Sequence, residues 1–360
     1  MTSNASRSAP FRRVQPLAFV VELDQTVREA IELINRNAGV PCAVVDATGI
    51  CQGVITDGDI RRGLLSGLTL ESSLAELVKP FVSVGPTASA SEVAELARKQ
   101  DSRFMPCLSA TGKLESVWLA TTGSFSEPTE IPVLVLAGGK GSRLMPLTST
   151  VPKPLIRVGK TTLLDSAIDR CLASGFRNFY LSVNYLKEQV ISHIEARQSD
   201  DFSVHFVEES EPLGTAGPIG LLPENSQGNL LVVNADVLHN IDLGQMVDDH
   251  LKAKRDLTVG LRLHQTTIPF GVAEIEGEQI VDVVEKPTLS FPVNAGIYVI
   301  SQSVRDRVAA GLPLDMPDLI KECISDGMSV GPFLAHEFWL DVGTHENLSL
   351  AESEIGQWGL

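Results

Sequence analysis

A chain of 360 residues with 43% hydrophobic content has enough apolar material for more than one core, so two domains are expected. Its formal net charge of -16 opposes recruitment of a nucleic-acid backbone, so any phosphorylated ligand must be held by local cations, backbone amides or a metal ion. No apolar run is long enough to span a membrane, MTSNASRSAPFRR lacks the apolar stretch of a secretory signal, and the five cysteines show neither zinc nor disulfide spacing; a cytoplasmic protein is expected.

Residues 1–13 read as a flexible terminus. An approximate internal repeat follows: TVREAIELINRNAGVPCAVVDATGICQGVITDGDI from Thr26 is echoed by ASEVAELARKQDSRFMPCLSATGKLESVWLATTG from Ala90. Each copy runs from an amphipathic helix pattern to a Pro-Cys strand, a TG turn and a second short apolar strand, a duplicated βαβ-type unit. The pattern resembles the CBS domain pair over 14–125, a module that binds adenine nucleotides. The resemblance implies that Thr56 and Asp59, with Asp57 beside them in GVITDGDIRRGL, hold a ribose and its phosphate side. The second copy places Leu119 and Thr122 at those positions, so one nucleotide site at most is expected. The same residues also suit a pure packing and dimerisation module, with Asp57 and Asp59 capping the helix that begins IRRGLL.

The stretch TTGSFSEPTEIP separates two patterns, and the linker is placed at 126–131. Beyond it, over 132–355, strand-like stretches (VLVLA, NFYLSVN, VHFVEE, NLLVVNAD) alternate with helical ones from Leu163 and Lys187. This alternation predicts an α/β fold built on a doubly wound, mixed but mostly parallel sheet. DLTVGLRL, GVAEIEGEQIVDVVEKP and VNAGIYVI suggest an inserted mixed-sheet region walling a pocket. Residues 356–360 are left as a tail.

Directly after VLVLA comes GGKGSRLMPLT. Gly138, Gly139 and Gly141 let the backbone approach a ligand and aim amides at it, which suits phosphate. Lys140 and Arg143 add cations, and Lys153 stands in PKP, where the prolines stiffen its backbone. Neither the P-loop nor the GxGxxG spacing is present. Two anchored cations close in sequence imply a polyphosphate.

LAGGKGSRLMPLT with PKP resembles the signature of the sugar-1-phosphate nucleotidyltransferases, with Ser142 where Thr is usual, and the resemblance extends over residues 131–355. It implies that Leu136, Ala137, Gly138, Gly139, Gly141, Ser142 and Arg143 surround the nucleotide. EPLGTAGPI supplies Pro212, Gly214 and Thr215 to base and ribose. It also implies that Asp236 in NADV and Asp341 in FWLDVGT hold a metal ion. Glu285 and Lys286 in EKP take sugar hydroxyl and sugar phosphate, with Asn294 and Gly296 in NAGIYVI beside the sugar. Two carboxylates from distant segments suit Mg2+. Arg143, Lys153, Asp236 and Lys286 become the catalytic set. No general base is needed, because a sugar phosphate is already anionic.

The PLGTAG form, the CBS pair and DMPDLIKECISDG most resemble the glucosamine-1-phosphate guanylyltransferases of legionaminic acid biosynthesis, implying GTP and glucosamine 1-phosphate as substrates; the resemblance to CBS pairs, which commonly associate face to face, implies a homo-oligomer. Mannose-1-phosphate guanylyl transfer, glucose-1-phosphate uridylyl or thymidylyl transfer, and an inactive nucleotide-sensing subunit stay open. The hexapeptide-repeat tail of several relatives is not in the sequence.

Overall fold

The computed structural model describes residues 11–37, 39–100, 102, 104–120, 129–197, 201–224 and 226–354. Residues 1–10 of the expected flexible terminus, Thr122, 126–128 of the expected linker and the expected tail 356–360 lie outside the described residues. The chain forms two compact units, Met1–Ser124 and Phe125–Leu360. Among the described residues no helix is long and apolar enough to cross a membrane.

The first unit holds two three-stranded sheets. In one, Cys42–Val45 lies between Val20–Glu22, to which it is parallel, and Cys51–Ile55, to which it is antiparallel. The crossover is the helix Val27–Arg36. Thr26 caps it and Glu29 reciprocates, and Val27, Ala30, Ile31 and Ile34 bury one face at three- and four-residue spacing. In the other sheet, Leu114–Ala120 lies between Phe11–Val14 and Phe104–Leu108, antiparallel to both. The second copy therefore borrows its outer strand from the start of the chain, which the repeat alone does not indicate. The two TG turns join the copies through the Ile50–Lys113 bridge and the bond from Cys51 N–H to Gly112 O at 3.0 Å.

The second unit is built on a seven-stranded sheet. Its strand order is Ser203–Glu208, Asn178–Val183, Val133–Leu136, Leu230–Asn234, Thr288–Ile300, Leu257–Thr267 and Val330–Ala335. Thr288–Ile300 runs antiparallel to both its neighbours, and the remaining neighbours pair in parallel. One face packs on the helices Leu163–Ala173, Lys187–Arg197 and Leu243–Ala253, and the other on Met316–Ser325. This is the mixed, mostly parallel α/β sheet expected. The later strand-rich stretch differs from expectation. Leu257–Thr267 and Thr288–Ile300 belong to the main sheet, and only Gly271–Glu276 and Gln279–Glu285 stand apart, as an antiparallel hairpin between them. One end of each long strand buries as core, so both join the main sheet, while their exposed ends run on toward the hairpin.

Candidate active site

Val133–Leu136 sits mid-sheet, and the glycine loop leaves its carboxyl end where Ala137 N–H donates to Ser182 O at 3.0 Å. Leu136 is half-buried and Ala137 buried, so the ligand-facing surface falls to the glycines. Space around Gly139 is open: a methyl group there would meet no heavy atom within 4 Å. Gly138 is closed on its side-chain side, where a methyl would lie 2.7 Å from Glu209 Oε1. Gly141 has φ +62°, and a methyl on it would lie 2.9 Å from both Lys153 Cβ and Thr148 Cγ2. Its carbonyl accepts from Leu144 N–H and from Thr148 Oγ1, each at 2.9 Å, so buried Thr148 ties the far end of LAGGKGSRLMPLT back to the loop. Ser142 and Arg143 open a 3-10 turn, exposed. Lys140 Nζ stands 5.9 Å from the Tyr185 ring centroid.

Lys153 begins a 3-10 turn between Pro152 and Pro154. Its side chain is only 12% exposed and its Nζ lies 2.5 Å from Asp236 Oδ2. Asp236 follows Leu230–Asn234, and the next residue opens Val237–His239, which pairs antiparallel with Trp339–Asp341. Val237 faces Asp341 in that register, and Val342 N–H donates to Asp236 O at 3.0 Å. Two aspartates 105 positions apart in sequence are thus carried on adjoining backbones. Burial first, and then the negative charge of Asp236, raises the Asp341 carboxyl above its ordinary value, against the pull of Lys153 and Arg143. All four groups therefore share one electrostatic field. The donor set fits a hard divalent cation: two carboxylates, one of them held at an electrostatic cost that a cation would relieve.

The EPLGT loop is bound to the segment before Met316–Ser325. Gly214 has φ +76°, and a methyl on it would lie 2.6 Å from Leu314 O and 2.7 Å from Asp315 Oδ1. The protein's own chain thus already requires a glycine here. Thr215 N–H donates to Asp315 Oδ1 at 3.1 Å, and Thr215 Oγ1 accepts from Met316 N–H at 2.8 Å. Pro212 is exposed and Leu213 buried.

Glu285 ends the hairpin. Lys286 adopts φ +47°, a left-handed conformation costly for a side-chain-bearing residue, and donates its N–H to Phe270 O at 3.3 Å. Asn294 Oδ1 accepts from Gly296 N–H at 2.9 Å, and Gly296, at φ +73°, leaves room for Asn234: a methyl on it would lie 2.6 Å from Asn234 Nδ2. The structure brings Arg143, Lys153, Asp236 and Asp341 together around the glycine loop, and Asn294 and Gly296 beside Asn234. Glu285 and Lys286 stand at the hairpin's base with local bonds.

Two further residues, which the sequence does not single out, adjoin these groups. Asn234 Oδ1 is buried and finds no donor among the described residues; it lies in the same NADV motif as Asp236, and its place directly after an apolar strand is the signal that could have found it. Glu209 is buried, with Oε1 accepting from Ser182 Oγ and Oε2 accepting from Leu213 N–H at 2.9 Å, beneath Gly138. No spacing marks it among the three acids of EESE.

In the first unit, Thr56 rather than Asp57 caps Asp57–Leu65. Thr56 Oγ1 donates to Asp59 Oδ2 at 2.6 Å and accepts from Asp59 N–H at 3.1 Å. Arg62 donates to Asp59 Oδ1 at 2.8 Å and Lys79 Nζ donates to the same oxygen at 3.3 Å, while Arg61 pairs with Asp57. Burial raises the Asp59 carboxyl, but bonds from Thr56 and Arg62 outweigh it and hold it below its ordinary value. Leu119, at the matching position of the second copy, is buried in its strand.

The nucleotidyl transferase family model matches residues 132–357, and the CBS domain model matches 14–66. Mannose-1-phosphate guanylyltransferase catalytic subunit beta of Danio rerio is 32% identical over 221 residues, 58% of this chain and 60% of that one. The bifunctional protein GlmU of Methanococcus aeolicus is 30% identical over 232 residues, 62% of this chain and 54% of that one. The chain thus spans between half and two thirds of the length of these relatives. The solved structure of HddC from Yersinia pseudotuberculosis complexed with GMP-PN is 21% identical, with a TM-score of 0.50, over 62% of this chain and 99% of that one, a likeness of fold. By its sequence from residue 132 to residue 357, the chain belongs to the nucleotidyl transferase family.

Proposed function

We propose that the second unit is a sugar-1-phosphate nucleotidyltransferase, converting a nucleoside triphosphate and a hexose or aminohexose 1-phosphate into a nucleotide sugar and pyrophosphate. The observation that carries this reading is the meeting of Asp236, Asp341, Lys153 and Arg143 beside the open space at Gly139. A phosphate oxygen of the sugar phosphate attacks the α-phosphorus, and the bond to the bridging oxygen breaks, its electron pair leaving with pyrophosphate. Arg143 holds the triphosphate, and Lys153, fixed by its prolines and by Asp236, neutralises charge at the reaction centre. Lys286 takes the sugar phosphate, Glu285 a sugar hydroxyl, and Asn294 and Gly296 line the sugar side. Asp236 and Asp341 would hold Mg2+, whose chemistry is charge neutralisation on the phosphates.

GTP is the proposed nucleotide. Guanine presents two adjacent donors, N1–H and N2–H, and the carboxylate of Glu209, whose oxygens each accept one bond from Ser182 or Leu213, keeps further lone pairs next to Gly138 and the EPLGT loop. The guanylyltransferase relatives agree with that choice. Glucosamine 1-phosphate rests on the resemblance described above. Adenine nucleotide binding at Thr56, Asp57 and Asp59 of a CBS pair over 14–125 completes the reading as a regulatory addition, in a cytoplasmic homo-oligomer. Incubation with each of the four NTPs, Mg2+ and a panel of sugar 1-phosphates, with pyrophosphate measured, tests the proposal. GTP with one sugar phosphate should give turnover, and no release with any pair would overturn it in favour of a sensor.

A further inference from the structure

Asp341 ends the strand Trp339–Asp341, whose two-stranded sheet holds the pairs Val237–Asp341, Leu238–Leu340 and His239–Trp339. A ladder that short fixes its last residue weakly. A further bond comes from the helix His345–Glu354, which follows directly. Asn347 Nδ2 donates to Asp341 O at 2.7 Å, and Thr344 Oγ1 caps the helix by accepting from Asn347 N–H at 3.2 Å. The same first turn reaches the end of LAGGKGSRLMPLT. His345 Nε2 lies 3.0 Å from Met145 O, and a carbonyl only accepts, so that nitrogen carries the proton. Leu144 and Val342, the sequence neighbours of Met145 and Asp341, bury in one cluster with Leu348 and Ala351 of the helix.

We propose that this helix is a brace setting the spacing between the triphosphate loop and the second metal carboxylate, with His345 and Asn347 as positioning residues, a role that rests on the nucleotidyltransferase reading of the site. Neither side chain needs to touch substrate. Residues two apart in a helix do not face each other, so one rigid turn can hold partners in two directions. His345 grips the loop just past Arg143, and Asn347 grips the backbone of Asp341. Arg143 and Asp341 carry the opposite charges between which a triphosphate and its cation must fit, and each already acts on the other. Met145 is 42% exposed, so packing alone does not hold the loop there. A misplacement of about 1 Å can cost on the order of a hundredfold in rate, which makes this spacing a catalytic quantity.

The test uses the full chain and two probes that need no turnover: Mn2+, followed by the loss of its free electron paramagnetic resonance signal, and mant-GTP with Mg2+, followed by fluorescence. Asn347→Ala should raise the Kd for Mn2+ about tenfold, the scale of one lost hydrogen bond. His345→Ala should weaken mant-GTP about three- to tenfold, and His345→Gln, which keeps a terminal N–H donor, should recover most of that loss. Ser349→Ala removes only the bond from Ser349 Oγ to His345 O within the helix and should change neither affinity. Far-UV circular dichroism checks that each variant folds. Wild-type affinity for Mn2+ in folded N347A, wild-type affinity for mant-GTP in folded H345A, or equal weakening in H345A and H345Q would overturn the brace alone. A wild type that binds neither probe would overturn the nucleotidyltransferase reading together with it.

Discussion

Lys153 Nζ lies 2.5 Å from Asp236 Oδ2, while the carbonyl of the same aspartate accepts from Val342 N–H, the residue after Asp341. One residue thus holds both the Lys153 ammonium and the backbone beside the second carboxylate. Asp236→Asn keeps the shape and the backbone bond while removing the charge. Turnover should fall on the order of a thousandfold, as expected for a lost metal ligand, with far-UV circular dichroism unchanged. Turnover within about threefold of wild type would remove Asp236 from the proposed mechanism.

Asp341 makes a prediction that needs no substrate. Burial and the Asp236 charge raise its folded-state pKa above the ordinary 3.8. Between those two values the folded protein binds more protons than the unfolded chain, so stability without metal falls as pH rises through that window and stays lower above it. Asp341→Asn should therefore raise the melting temperature of the metal-free protein at pH 7. A divalent cation reverses the sign by favouring the ionised pair, so Mg2+ should stabilise the wild type and leave D341N unmoved. Equal Mg2+ stabilisation of both proteins in differential scanning fluorimetry would contradict a shared ion.

The parts of the site legible in the sequence are those whose chemistry repeats at fixed spacing: the glycines after VLVLA, the prolines around Lys153, and carboxylates just past apolar strands. What spacing does not supply is partnership across the fold. Gly141 is needed because Lys153 and Thr148 would stand 2.9 Å from any methyl it carried, and Gly214 because Leu314 and Asp315 would stand 2.6 Å and 2.7 Å away; no local pattern reveals either contact. Glu209 is invisible for the same reason, being defined by burial against Ser182 and Leu213. DLTVGLRL, GVAEIEGEQIVDVVEKP and VNAGIYVI all read as strand-rich, but which of them enter the main sheet and which pair only with each other is decided by distant partners and not by composition.

Glu209 carries the proposed base preference. Glu209→Gln replaces one acceptor with a donor, which opposes one guanine N–H but matches the donor and acceptor edge of uracil or thymine. GTP should lose about 10- to 100-fold in kcat/KM, and UTP or dTTP should gain relative to it. A uniform loss across all four NTPs would mean that Glu209 only holds Ser182 and Leu213 in place.

Thr56 separates ligand binding from packing in the first unit. Its hydroxyl accepts from Asp59 N–H and donates to Asp59 Oδ2, and Arg62 and Lys79 surround the same carboxylate. Thr56→Ala removes the cap and should destabilise the unit by about 1 kcal/mol whatever else the residue does. A ribose would have to exchange some of those bonds for its own hydroxyls. If it does, AMP, ADP or ATP at millimolar concentration should raise the melting temperature of the wild type by several degrees and leave T56A unmoved. If no adenine nucleotide shifts the wild type, Thr56 and Asp59 serve the helix Asp57–Leu65 alone, and the partners they already hold account for them fully.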